Sequence, residues 1–373
     1  MDFRPTEEQA ILKDSVAGWL RRSYGFEAWR KLAAERPPFS PANWASFADM
    51  GWLGLTIPED MGGIGQGQLE RMLLAEAFGA HLVMEPYLST AVLGAELIAR
   101  AGSPAQQEAL LPRIAAGDLR LAFAHAETGS RFALDAPQVR AAAAGGGHMI
   151  TGRKIVVWDA GTADLLVVLA QDGGQDGAQV AAFLVDPAGP GVAMQTYATV
   201  DDRQAADIAF TNAPAERLGA GGLAAIEAAA DSGVLWLCAE GIGAMAALID
   251  QTLDYVKVRK QFGQPIGDFQ VIQHRVVDLR VALEGARAIT LYASALPPED
   301  GDERRRAVSA AKVQVGRAAR LIGRDAVQLH GGMGMTDQLA IGHYFKRLLV
   351  VETLLGDIAH HQARFAALPT ELV

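Results

Sequence analysis

The stretch RKQFGQPIGDFQVIQH, residues 259–274, gathers side chains that could hold a ligand. It reads as helix on both sides, and Gly263, Pro265 and Gly267 break that helix in the middle. Arg259, Phe262 and Gln270 surround the break, with Gln261 between them. They offer a planar cation, an aromatic face and an amide. The spacing alone is equally compatible with a helix–turn–helix corner carrying a surface arginine. A second stretch, QLHGGMGMT at 328–336, offers the Gln328 amide and two glycines, Gly331 and Gly332. Those glycines let backbone come close to a bound group. The same residues read equally as a glycine-ended helix with a Schellman-type stop, and both readings can hold at once. His330 reads as a local hydrogen-bonding residue.

The elements that must position these residues follow from the hydrophobic period. From Leu223 onward the period is helical: Leu223–Val258, Val271–Ala293, Glu303–Leu329 and a last segment from about Leu339 to Ala367. Four long helices in sequence predict a bundle. From Leu121 to about Ala215 the texture is different. Short β-like runs, LAFAHAE, GHMITGRKIVVW, ADLLVVLAQ, QVAAFLVD and DIAFTN, are split by glycine and polar turns. Strands with no helix between them predict an antiparallel barrel or sandwich. AQDGGQDGAQ is its loop tip, and NAPAERLGAGG ends it. The first third is helical. Thr6-Glu-Glu-Gln9 is a capping box, and Ser40-Pro41 and Ser103-Pro104 are two further helix starts. Residues 51–58 read as a turn into a short extended piece, and Leu69–Gly79 and Leu88–Ala101 as helices.

Bulk properties bound the function. The 373 residues carry a formal net charge of -10, so there is no basic footprint for nucleic acid or an anionic membrane. Met1–Pro5 lacks the basic and apolar regions of a secretory signal. The longest apolar run, Val234–Ile249, contains Glu240 and is too short to span a bilayer. The one cysteine, Cys238, excludes an internal disulfide and a thiolate metal cage, and no metal site is expected. A cytoplasmic location fits.

Taken together, these stretches resemble the acyl-CoA dehydrogenase family over essentially the whole chain. The resemblance rests on Thr6–Gln9, GWLGLTIPEDMGGIG at 51–65, EPYLSTAVLGAELI at 85–98, NAPAERLGAG at 212–221, and above all the two stretches at 259–274 and 328–336. It implies an N-terminal α-helical domain over 1–119, a middle antiparallel β-barrel over 120–217 and a C-terminal four-helix bundle over 218–373. It implies FAD as cofactor and an acyl-CoA thioester as substrate, oxidised at its Cα–Cβ bond. Electron-transferring flavoprotein is the implied acceptor. In the family, the Arg-x-x-Phe-Gly segment reaches the FAD of a neighbouring subunit. By resemblance Arg259 then neutralises the pyrophosphate, since a guanidinium gives charge-assisted, bidentate contacts to phosphate. Phe262 packs on the cofactor, Gln261 and Gln270 lie beside it, and Gln328, Gly331 and Gly332 make the adenosine-side contact.

The departures from the family pattern are as informative. Where members carry Thr-Glu-Pro-Gly-Ala-Gly-Ser-Asp, this chain has Ala126-Glu-Thr-Gly-Ser-Arg-Phe132. Where members carry Trp-Ile-Thr beside the flavin ring, it has Val156-Val157-Trp158. The family's two alternative positions for the catalytic glutamate hold Leu355, before Gly356, and Gly233. The CoA-binding arginine is replaced by Val234. Glu352, Asp357 and Asp231 are the nearest acids, and Glu352 lies nearly one turn from position 355. Asp231 is expected as a helix N-cap, and His360 and His361 as surface or interface residues. The chain therefore resembles the base-lacking subunit of an α2β2 acyl-CoA dehydrogenase acting on bulky thioesters such as steroid side chains. Two alternatives stand beside this: a self-sufficient homo-oligomeric enzyme using Glu352, and a flavin-free scaffold that has kept the fold.

Overall fold

The computed structural model describes residues 6–173, 179–297 and 301–368. Met1–Pro5 and the centre of the AQDGGQDGAQ tip lie outside the described residues. In chain order the helices are α1 (Glu7–Ser23), α2 (Phe26–Ala34), α3 (Pro41–Asp49), α4 (Gln68–Ala80), α5 (Ala95–Ala101), α6 (Pro104–Ala115), α7 (Leu223–Val258), α8 (Gln270–Ala295), α9 (Gly301–His330), α10 (Ile341–Thr353) and α11 (Ile358–Ala367). The chain forms two compact units. One holds Met1–Lys31, Gln68–Val83 and Val234–Val373; the other holds Leu32–Gly67 and Met84–Gly233.

The first unit is helical. Its first helix begins as expected: Thr6 accepts from the Gln9 amide and Gln9 reaches back to the Thr6 amide. Gln9 also donates to Glu70 on α4 at 2.7 Å. Two glycines let α4 and α7 approach at backbone distance. A Cβ on Gly79 would lie 1.8 Å from the Glu240 carbonyl oxygen, and one on Gly243 would lie 1.8 Å from that of Glu76. Helix α7, which carries the apolar run, is 36 residues long, and by length and composition it could cross a membrane. However, 89% of its most apolar window is buried inside the protein, so it is a core helix. Glu240 survives within that core because Arg347 of α10 grips it with two 2.8 Å contacts.

The last helical segment differs from the expected single helix. It is two helices, so the bundle has five helices over 218–373 among the described residues. Leu355 (φ 58°) and Gly356 (φ 114°) adopt left-handed backbone between α10 and α11. Asp357 then caps α11 by accepting from the His360 amide at 2.8 Å.

The second unit carries the sheet and the remaining helices. Ser40 and Ser103 cap α3 and α6 as expected, each followed by proline. Residues 51–58 form turns rather than an extended piece. Residues Leu88–Gly94 form a wholly buried π-helical segment leading into α5. Thr90 within it both donates to the Leu121 carbonyl and accepts from the Leu121 amide.

The sheet has seven strands: β1 (Leu121–Ala124), β2 (Arg140–Ala144), β3 (Gly147–Trp158), β4 (Leu165–Asp172), β5 (Gln179–Val185), β6 (Val192–Ala198) and β7 (Gln204–Arg217). Strands β4, β2, β3, β7 and β5 pair in a closed ring, because β5 returns to β4. Closure removes free edges. Alanine, valine and phenylalanine from these strands fill the interior. The pairing is not purely antiparallel as expected. Both β1 and β2 run parallel to β4, on successive stretches of it. NAPAER, read as the end of the region, continues β7 to Arg217.

Candidate functional site

The break at 259–274 is a protruding arm. Helix α7 ends at Val258, and two short strands follow, β8 (Lys260–Gln261) and β9 (Gln264–Pro265). Between them Phe262 (φ 53°) and Gly263 (φ 85°) both take left-handed backbone. A two-residue hairpin of this kind needs positive φ at both central positions. Gly263 takes it without steric cost, and Phe262 takes it against the preference of a bulky side chain. The outcome is a phenyl ring that is 94% exposed, touching Phe269 edge-on at 6.3 Å between centroids. Arg259 is anchored through its backbone: its amide donates to the Tyr255 carbonyl and its carbonyl accepts from the Ile266 amide. Its side chain is exposed and makes no ion pair among the described residues. Gln261 and Gln270 are exposed beside it, and Gln270 is the first residue of α8.

The second motif sits at the end of α9. Gln328 is exposed on the last turn, and Gly331 (φ 60°) opens a short 3-10 turn, Gly331–Met335. A Cβ built on Gly331 or Gly332 meets nothing within 4 Å. These glycines therefore leave an open cradle rather than permitting an internal contact. His330 is buried, its Nδ1 lies 2.8 Å from the Ala326 carbonyl, and burial lowers its pKa. It is a local hydrogen-bonding residue.

Tyr255, which the sequence did not single out, joins the two motifs. It stacks on His330 at 4.3 Å between centroids, and its hydroxyl faces the His330 carbonyl at 3.4 Å. Thus one tyrosine, a turn before Arg259, fixes the foot of the arm against the glycine turn.

The candidate bases divide differently. Gly233 is buried inside α7, and Asp231 is an interior residue of that helix rather than its N-cap, because α7 begins at Leu223. Leu355 occupies the left-handed turn before Gly356. That turn is held firmly. The fully buried Lys312 ammonium donates to the carbonyls of Val351 (2.5 Å) and Leu354 (2.7 Å), capping the end of α10. Burial brings its pKa down to about 8. His361 is not a surface residue: it is 1% exposed, with Nε2 3.0 Å from the Leu355 carbonyl. Glu352 is likewise buried, with its carboxylate 2.7 Å from Arg320. It is neither a solvated surface group nor an unpaired base.

In the other unit, the stretch at 126–132 is organised by Glu127. Its buried carboxylate accepts from the Gln138 and Val139 amides and from Lys154, the last at 2.6 Å. Burial lowers the Lys154 pKa to about 8, against the pull of Glu127. At the aligned Trp-Ile-Thr position, β3 bulges and Val156 adopts φ 51° with its side chain 40% exposed. Asp207 pins the bulge, accepting from the Val156 amide, Tyr197 and Arg153. The local backbone is therefore special although the residue types differ. Two residues on, Trp158 carries a buried Nε1 with no acceptor among the described residues. Within the helical unit, an open glycine cradle and an exposed unpaired guanidinium fit a group that carries phosphate.

Comparison with known proteins agrees with the domain pattern. The N-terminal, middle and C-terminal domain models of acyl-CoA dehydrogenase match residues 6–118, 122–213 and 220–367. The chain is 29% identical over 372 residues to acyl-CoA dehydrogenase FadE27 of Mycobacterium tuberculosis, covering 95% of each. It superposes on a chain of the ChsE4-ChsE5 complex from Mycobacterium tuberculosis with a TM-score of 0.90 at 28% identity, covering 99% of this chain and 100% of that one. A Tcur3481-Tcur3483 steroid ACAD variant gives 0.88 at 28% identity, covering 96% and 97%. The chain belongs to the acyl-CoA dehydrogenase family, FAD-dependent oxidoreductases acting on CH–CH bonds.

Proposed function

We propose that this chain is the non-catalytic, half-site subunit of a heteromeric acyl-CoA dehydrogenase. It binds FAD through its arm and serves the α,β-dehydrogenation of an acyl-CoA whose base sits on a second, related subunit. The observation that carries the reading is Leu355. The turn that would present a carboxylate is held by Lys312 and His361, yet the side chain on it cannot take a proton. When bound, FAD supplies the acceptor for the hydride leaving Cβ, while a carboxylate must remove the α-proton. In this chain, Arg259 meets the pyrophosphate with its guanidinium, Phe262 covers the cofactor, and Gln261, Gln270 and Gln328 contribute amides. Gly331 and Gly332 admit the adenosine side. Glu352 does not serve as the base, because Arg320 already holds its carboxylate.

Two similar structures support a two-chain assembly: the ChsE4-ChsE5 complex and the Tcur3481-Tcur3483 steroid ACAD. A bulky CoA thioester in lipid or steroid breakdown, a cytoplasmic setting and electron-transferring flavoprotein as acceptor complete the proposal. The test is the Arg259→Ala variant, co-purified with its partner subunit. The expected result is an intact complex that retains at most about a tenth of its flavin, as loss of a charge-assisted phosphate contact implies. Full flavin retention would overturn the assignment of Arg259.

A further inference from the structure

A cavity of about 520 Å³ lies in the helical unit, away from the arm's own side chains. That volume falls within the range of small-molecule sites. Its walls are aromatic: Tyr24, Phe26 and Trp29 come from the end of α1 and the start of α2, and Tyr344 from α10. Phe26 and Trp29 stack nearly parallel, 5.7 Å between centroids with 10° between planes. Tyr344 is fixed by donating its hydroxyl to the Ala80 carbonyl. Leu82, also in the wall, is a buried residue held in left-handed backbone at φ 55°. Such strain persists only where surrounding structure enforces it, and it gathers at ligand sites.

Among the side chains that line the cavity, Asp250 is the one carboxylate; Arg30 stands outside the lining, 6.0 Å from the Phe26 ring centroid. No lysine or arginine lines the cavity. His81 does line it, but burial lowers its pKa, so it adds no positive charge at neutral pH. Asp250 on α7 is exposed at the cavity and makes no ion pair or side-chain hydrogen bond among the described residues. A phosphate or carboxylate would meet this acid with no lysine or arginine in the cavity wall, unlike at the Arg259 site. Aromatic walls beside a free carboxylate match a positively charged nitrogen, which is attracted to ring faces and to the acid together. We propose that this cavity binds an organic cation, an ammonium group carried on an apolar or aromatic body.

Calorimetric titration of the protein with benzyltrimethylammonium tests this, at physiological salt to suppress non-specific attraction to an acidic chain. Benzyl alcohol serves as the neutral probe and benzenesulfonate as the anionic one. Saturable one-site binding of the cation is expected, with each of the other probes at least about tenfold weaker. Asp250→Asn should weaken the cation about tenfold. Asp254→Asn, an exposed acid one turn away that does not line the cavity, should leave it unchanged. Absence of saturable binding, equal affinity for the neutral or anionic probe, or an Asp250→Asn variant that binds as tightly as the parent would each overturn the proposal. Asp250 is exposed, so its variant keeps the fold.

Discussion

Tyr255 stacks on His330 with 4.3 Å between ring centroids, and this pair ties the foot of the Arg259 arm to the Gly331 turn. Tyr255 and His330 are 75 residues apart in sequence, yet the motifs they belong to act as one platform. Tyr255→Ala should therefore disturb both at once. The expected cost is about 1–2 kcal/mol of stability, with flavin retention of the assembled complex falling several-fold. Tyr255→Phe keeps the stack and loses only the long hydroxyl contact, so it should behave nearly as the parent. Thermal unfolding and the flavin-to-protein absorbance ratio read the two effects. Equal losses for both variants would mean that stacking is not what joins the motifs.

Glu352 separates the half-site reading from a self-sufficient enzyme. It is held at 2.7 Å by Arg320, whose side chain is 56% exposed. Glu352→Gln should leave turnover of the complex within about twofold and cost at most about 1 kcal/mol, because a pair with one exposed partner is worth little. Turnover falling a hundredfold or more would make Glu352 the base after all.

The Arg347–Glu240 pair is a different case, with side chains only 2% and 3% exposed. Arg347→Met strands a buried carboxylate and should cost about 3–5 kcal/mol. Adding Glu240→Met should restore most of the loss, since no charge then remains buried. Denaturant unfolding of the two variants checks this. A double variant no more stable than the single one would show that the pair's worth is not electrostatic.

His361 makes the helical unit sensitive to acid. Its pKa is pushed down to about 3, first by burial and then by the neighbouring Lys312 charge. The unfolded chain takes up this proton near pH 6.5 and the folded chain only near pH 3. Stability is therefore lost as pH falls through that window, at about 1.4 kcal/mol per pH unit. The His361→Gln variant should show a shallower decline than the parent between those values. Parallel declines would mean that the histidine is not protected in the native state.

Much of this was legible in sequence where one residue type forces local geometry. Gly263 and Pro265 marked the break that became the hairpin, and Thr6, Ser40 and Ser103 marked helix starts. The bounds of α7 were also readable, because its apolar period runs unbroken. What stayed hidden depends on tertiary placement. Lys312 reads as a surface lysine on an amphipathic helix, yet it is buried under the α10–α11 turn. The helical period runs on through Leu355, which has no preference for left-handed backbone, so the break between α10 and α11 is not legible from the period alone. Strand β2 is Arg140 followed by four alanines, which have low β propensity, so only pairing with β3 and β4 makes it a strand. The orphaned Nε1 of Trp158 is likewise invisible in the sequence, because burial without a partner depends on how the chain packs around it.

The central claim is that this chain holds an FAD it cannot use alone. The most direct test is the visible absorption spectrum of the purified chain, first alone and then co-expressed with a related dehydrogenase subunit. The account predicts a colourless protein alone and a yellow complex with the partner, whose flavin is bleached on adding acyl-CoA substrate. A chain that purifies alone with full flavin occupancy and is bleached by substrate would contradict it.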